Sequence, residues 1–104
     1  GKYAEARECF MRAVKLDASF AEGHTNLGNI YAAQGDAQQA VQHYRRAIEA
    51  DSEYVDAYNN LGTLYGRQGN IEKAIQLYRS ALEIDPRNRQ TRQFLENAVR
   101  ALQQ

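Results

Sequence analysis

Cysteine, proline and tryptophan are almost or wholly missing from this chain, which has one Cys, one Pro and no Trp among 104 residues. The single thiol, Cys9, excludes an internal disulfide and reads as a small apolar packing group on a helix. No apolar run approaches the roughly 18 residues that a membrane-spanning helix needs, so membrane insertion is not expected. Neither sign of charge is in excess, with 13 Lys and Arg against 13 Asp and Glu. Nucleic acid and acidic membrane surfaces demand a basic excess, so neither is expected as the main partner. What is present, 43% hydrophobic residues without a long run, suits one soluble domain.

Catalytic patterns are also absent. His24 and His43 are not at the spacing that puts two ligands on one helix face, and no matched Cys or Asp cluster accompanies them, so no metal site is expected. His24 reads as a packing residue. Asp17, Asp51 and Asp85 recur once per 34 residues at predicted helix ends, which is turn architecture rather than an acid/base pair. No glycine-rich phosphate loop occurs, and no cofactor is implied.

The chain is built on an internal repeat. Tyr58, Leu61, Gly62, Tyr65, Gly69, Ala74, Tyr78, Ala81 and Pro86 have counterparts 34 residues earlier in His24, Leu27, Gly28, Tyr31, Gly35, Ala40, Tyr44, Ala47 and Ser52. A further step back aligns Gly1, Ala6, Phe10, Ala13 and Ala18, so the sequence opens partway through an earlier copy. The series W-x-x-L-G-x-x-Y, then A-x-x-x-F, then A and P, is matched in spacing and nearly in type, and in this the chain resembles the tetratricopeptide repeat. The resemblance implies an all-α, right-handed solenoid of antiparallel helix pairs that works as a binding scaffold and not as an enzyme.

Taken in order, residues 1–19 form the second helix of a truncated repeat, 20–53 and 54–87 two full repeats, and 88–104 a capping helix. Ala6, Phe10 and Ala13 make an apolar stripe that the missing partner helix would cover, and a second copy of the chain is one way to cover it. Asp36 with Gln39 reads as a capping box, and Gly35 as the left-handed residue that ends the preceding helix. Gly28 is expected opposite Ala40 and Ala47 by analogy with the family, with Tyr31 and Tyr44 as bulk between layers. Asp85-Pro86 breaks the chain, and Ser52 weakens that break in the earlier copy. In the last helix Glu96 and Val99 replace the Gly and Tyr of the repeat, and Arg92, Gln93, Glu96, Arg100 and Gln103 form a polar face. Such a helix ends a solenoid by solvating it. Arg87, Arg89, Arg92 and Arg100 make this end locally basic, which suits either a solvated surface or an acidic partner segment. Phe94 can line the groove or pack inward beside Leu95.

The family's first helices line a concave groove. Carried over residue by residue, the resemblance places Glu22, Thr25, Asn26, Asn29, Asp56, Asn59, Asn60, Thr63 and Arg67 there. Asn26 and Asn60 are one repeat apart, at a cost in helix propensity that calls for a reason. An amide offers one donor and one acceptor and so matches one peptide unit of an extended backbone. This is similar to the asparagine ladder in the repeat region of O-linked N-acetylglucosamine transferases. Relatives that grip a terminal carboxylate also need Lys and Arg. Asn29 and Asn60 match that pattern, but Thr25, Gln90 and Phe94 stand where the cations belong, which argues against a co-chaperone role. The expected partner is a protein or peptide. The expected functions are groove binding, with self-association through the N-terminal stripe or substrate selection for a larger enzyme as alternatives.

Overall fold

The computed structural model describes residues 2–8 and 20–104, all of whose regular structure is helical. Helix α1 covers 2–8, and α2 (Ala21–Ala33), α3 (Ala37–Ala50), α4 (Val55–Arg67), α5 (Ile71–Ile84) and α6 (Arg89–Gln103) follow. Sequence neighbours pack as antiparallel hairpins, and α2 also touches α4, as α4 touches α6. The first helices of successive pairs therefore form one row along a body of 42 × 26 × 18 Å. Phe10, Ala13, Cys9 and Asp17 lie outside the described residues.

Two kinds of turn alternate, each written locally. Within a pair, the helix ends on Gly35 or Gly69, at φ of 81° and 84°, which a side chain would oppose. The Asp36 N–H donates to Tyr31 O and the Gly35 N–H to Ala32 O, while Asn70 and Gly69 repeat both bonds onto Tyr65 and Gly66. This six-to-one, five-to-two pattern closes a helix C-terminus within its own backbone. It also corrects the capping-box expectation. Asp36 Oδ1 does accept from the Gln39 N–H at 3.2 Å, but the Asp36 N–H is already held by Tyr31, so the reciprocal Gln39 bond has no donor. Between pairs, Tyr54 N–H donates to Asp51 O and Asn88 N–H to Asp85 O, both at 3.1 Å. Ser52 thus supports the same turn as Pro86.

The core lies between layers, where Ala40, Tyr44, Leu61, Leu64, Tyr65, Ala74 and Tyr78 are buried together. What lies nearest Gly28 is the Tyr44 ring: a Cβ added there would lie 2.5 Å from it, and one at Gly62 would lie 2.9 Å from Tyr78. Each glycine is thus a seat for the aromatic ring of its partner helix. On α6 the expected polar face is exposed, and Arg92 reaches back to Pro86 O at 2.8 Å.

Candidate peptide-binding groove

The row of first helices presents Asn29, Ala32 and Ala33 from α2 and Asn60, Thr63 and Arg67 from α4 to a hollow of 180 Å³ that Tyr44 of α3 also lines. The small Ala32 and Ala33 leave room that longer side chains would fill. Asn29 Oδ1 accepts two hydrogen bonds, from the Tyr44 hydroxyl at 2.5 Å and from Asn60 Nδ2 at 3.1 Å. Tyr44 is 2% exposed, and its burial pushes the phenol up to about 12 against the pull of the Arg67 guanidinium. The hydroxyl therefore stays protonated and remains a donor across the working pH range. With Asn29 Oδ1 doubly occupied, the Asn29 Nδ2 donor and the Asn60 Oδ1 acceptor make no hydrogen bond among the described residues. They leave one donor and one acceptor at the hollow.

One repeat further on, Thr63 and Tyr78 take the places of Asn29 and Tyr44, with hydroxyls 2.9 Å apart. Phe94 stands where Asn60 stood, and its ring lies 5.5 Å from that of Tyr78. A second hollow of 250 Å³ results, lined by Thr63, Ile71, Ala74, Tyr78 and Phe94. Thr63 belongs to both hollows, so an amide subsite runs directly into an apolar one. Phe94 lines the groove and packs against the core at once.

Four of the nine expected groove residues, Asn29, Asn60, Thr63 and Arg67, come together at the first hollow. Thr25 does not line it: it is buried, and its hydroxyl donates to Ala21 O at 2.9 Å. Asn59 is also withdrawn, buried under α6 and accepting from the Thr91 hydroxyl at 3.0 Å. Glu22 is exposed beside Phe20, Asp51 and Tyr54 in a separate depression. Asp56 is exposed and Asn26 half-buried, and neither lines the hollow. The partner of Asn60 is thus Asn29, not Asn26 one full repeat away. Tyr44, read as bulk from the sequence, supplies the hydroxyl that orients Asn29. Its recurrence as Tyr78 rather than Phe was the available signal.

The two histidines, distant in sequence, meet across α2 and α3 with Nδ1 atoms 3.3 Å apart, so one ring donates and the other accepts. Tyr31 stacks on His43 at 5.4 Å, and the Arg7 guanidinium lies 5.6 Å over the Tyr31 ring. Burial, with Arg46 and His24 adding, holds His43 down at about 4. Among the described residues no three His, Cys, Asp or Glu side chains gather as a metal site would require, and no helix is long and apolar enough to cross a membrane.

Stacked antiparallel helix pairs with a row of first helices lining a groove define a helical-repeat solenoid. The family model for the tetratricopeptide repeat matches residues 19–87, a second TPR repeat model matches residues 1–35, and the chain belongs to the tetratricopeptide repeat family. Anaphase-promoting complex subunit 6 of Arabidopsis thaliana is 44% identical over 43 residues, 41% of this chain and 8% of that protein. The matched stretch therefore covers under a tenth of the length of that curated relative. Among solved structures, the first TPR of Spaghetti (RPAP3) bound to the HSP90 peptide SRMEEVD superposes with a TM-score of 0.91 at 25% identity, covering 100% of this chain and 82% of that one. The crystal structure of MamA gives 0.88 at 31% identity, covering 97% and 59%. The second TPR domain of human RPAP3 in complex with the HSP70 peptide SGPTIEEVD gives 0.84 at 28% identity, covering 94% and 82%.

Proposed function

We propose that this chain is a protein–protein interaction module that holds an extended peptide in the groove of its first helices. One peptide unit pairs with Asn29 Nδ2 and Asn60 Oδ1, and a neighbouring apolar side chain enters the hollow beside Tyr78 and Phe94. The observation that carries this reading is the donor and acceptor left open at the first hollow by the two bonds into Asn29 Oδ1. An amide pair of this kind reads backbone and is indifferent to sequence. The apolar hollow then supplies what selectivity there is. Two structural neighbours bound to chaperone peptides ending in EEVD give the precedent. Here Thr25, Gln90 and Phe94 occupy the positions at which the family's carboxylate grip needs cations, so an uncharged backbone contact suits this groove better than a terminal carboxylate.

The module acts by binding rather than catalysis; within a longer enzyme the same groove would select substrates. Self-association through Ala6, Phe10 and Ala13 gains no support, because Phe10 and Ala13 fall outside the described residues.

The test is a phage-displayed peptide selected against the chain and then measured by calorimetry. Asn60→Ala and Asn29→Ala each weaken it about tenfold, the scale of one net hydrogen bond. Methylating one backbone nitrogen of the peptide abolishes binding while its neighbours tolerate the same change. Affinities that ignore both asparagines sink the proposal.

A further inference from the structure

The face opposite the first helices carries its own groove, between α3 and α5, with a volume of 350 Å³. Its floor is one stripe of α4, since Tyr58, Leu61 and Tyr65 are spaced i, i+3 and i+7. Ile48 of α3 and Leu77 of α5 form apolar walls. The polar atoms of the floor are mostly engaged: the Tyr58 hydroxyl donates to Ser52 O, and the Tyr65 hydroxyl accepts from Arg45 Nη2, both at 2.8 Å. The floor is therefore mainly apolar, with the Tyr65 O–H and the Gln76 amide as its remaining polar groups.

Its rim is not neutral. Arg45 stands on one side and Lys73 on the other, where the ammonium lies 5.1 Å over the Tyr65 ring. Tyr65 thus fixes both cations, one through its oxygen and one through its face. No carboxylate lines the groove, and none among the described residues pairs with either cation. In a chain of zero net charge this is a local excess of two positive charges around an apolar slot. The volume falls at the low end of the ~300–1,000 Å³ typical of ligand pockets and suits one large side chain.

We propose that this outer groove is a second docking site, for a partner-protein segment that carries a large apolar side chain flanked by carboxylates. The apolar group occupies the slot over Leu61, and the carboxylates meet Arg45 and Lys73. A segment with basic flanks is repelled, which gives the site its selectivity. The site is independent of the inner groove, so one chain can hold two partners.

The probe is an acetylated, amidated peptide with Phe between two Glu residues in a Gly/Ser frame, titrated into the nitrogen-15-labelled chain and followed by NMR. Shifts are expected at Arg45, Ile48, Tyr65, Lys73 and Leu77, and not at Asn29 or Asn60. Lys73→Glu weakens binding about fivefold, the scale of an exposed charge pair reversed rather than removed. Arg45→Gln does so less, and Asn60→Ala has no effect, which separates this site from the inner groove. Both cations are exposed, so the variants fold, as circular dichroism checks. Equal binding by the Lys-flanked counterpart, shifts confined to the inner hollow, shifts with phosphatidylserine vesicles but not the peptide, or no shifts at millimolar peptide each overturn the proposal.

Discussion

Three glycines inside helices have different fates under the same substitution, because the space beside each differs. At Gly28 an added methyl would overlap a Tyr44 ring that is almost wholly buried and tied to Asn29, so nothing near it can yield. Gly28→Ala is expected to destabilise by about 1–3 kcal/mol, as overpacking does. Gly62→Ala meets Tyr78 at 2.9 Å and costs less. Gly66→Ala finds only the Ala74 methyl at 3.9 Å and gains helix propensity, so it should be neutral or stabilising by up to about 1 kcal/mol. Urea unfolding of the three variants reads the order directly, and a Gly28→Ala chain as stable as Gly66→Ala would contradict the packing described. The histidine pair makes a second residue-scale prediction. His43 is held near 4 in the folded chain against 6.5 unfolded, so between those values the unfolded chain binds the extra proton. Its contribution is fully present above about pH 6.5 and is lost as pH falls towards about 4. Carboxylates also titrate near the lower end of that window. The measurement is therefore the difference between wild-type and His43→Gln urea midpoints, which should narrow on acidification; parallel curves count against it.

Helices α3, α5 and α6 each begin with a side chain that accepts from the backbone three residues on, whereas Phe20 and Tyr54 before α2 and α4 make no such bond, and the three bonds are not equal. Asn88 reaches the Thr91 N–H at 3.0 Å, Asp36 reaches Gln39 at 3.2 Å, and Asn70 reaches Lys73 only at 3.5 Å. Replacement by Ala should cost about 1 kcal/mol at Asn88 and Asp36 and distinctly less at Asn70. Thermal melts of the three single variants test the ranking, and a loss at Asn70 equal to the others would show that the distance does not set the strength. The Asp36 cap was legible in the sequence, because Asp after a Gly-ended helix is a local signal, and Asn70 follows Gly69 in the same way; Asn88, which follows Asp85-Pro86-Arg87, has no such marker. The one-sided box was not legible, because the competing Tyr31 carbonyl belongs to the preceding helix.

At the scale of the whole molecule, stability in a solenoid is the sum of helix pairs and the joints between neighbours. The joint between α4 and the cap holds a buried polar link, Thr91 Oγ1 to Asn59 Oδ1. Thr91→Val keeps the shape but strands the Asn59 oxygen, at a cost of about 1–3 kcal/mol. Because the link touches only the last joint, amide exchange should accelerate in α6 and α4 first, while α2 and α3 keep their protection. Uniform acceleration from α2 through α6 would mean that the stack opens as one unit.

The sequence by itself determined the repeat length, the glycine turns and the solvated last helix, because each rests on contacts within a few residues or on a periodic pattern. It also marked Asn29, Asn60, Thr63 and Arg67, through their place on first helices. Only the tertiary structure decided that Thr25 and Asn59 are consumed inside, that Asn60 turns to Asn29 and not to Asn26, that His24 meets His43, and that Tyr58, Leu61 and Tyr65 floor an outer groove. Those outcomes depend on which side chain of a neighbouring helix arrives opposite, and the angle and register of packed helices are set by side-chain shape across layers rather than by spacing along the chain.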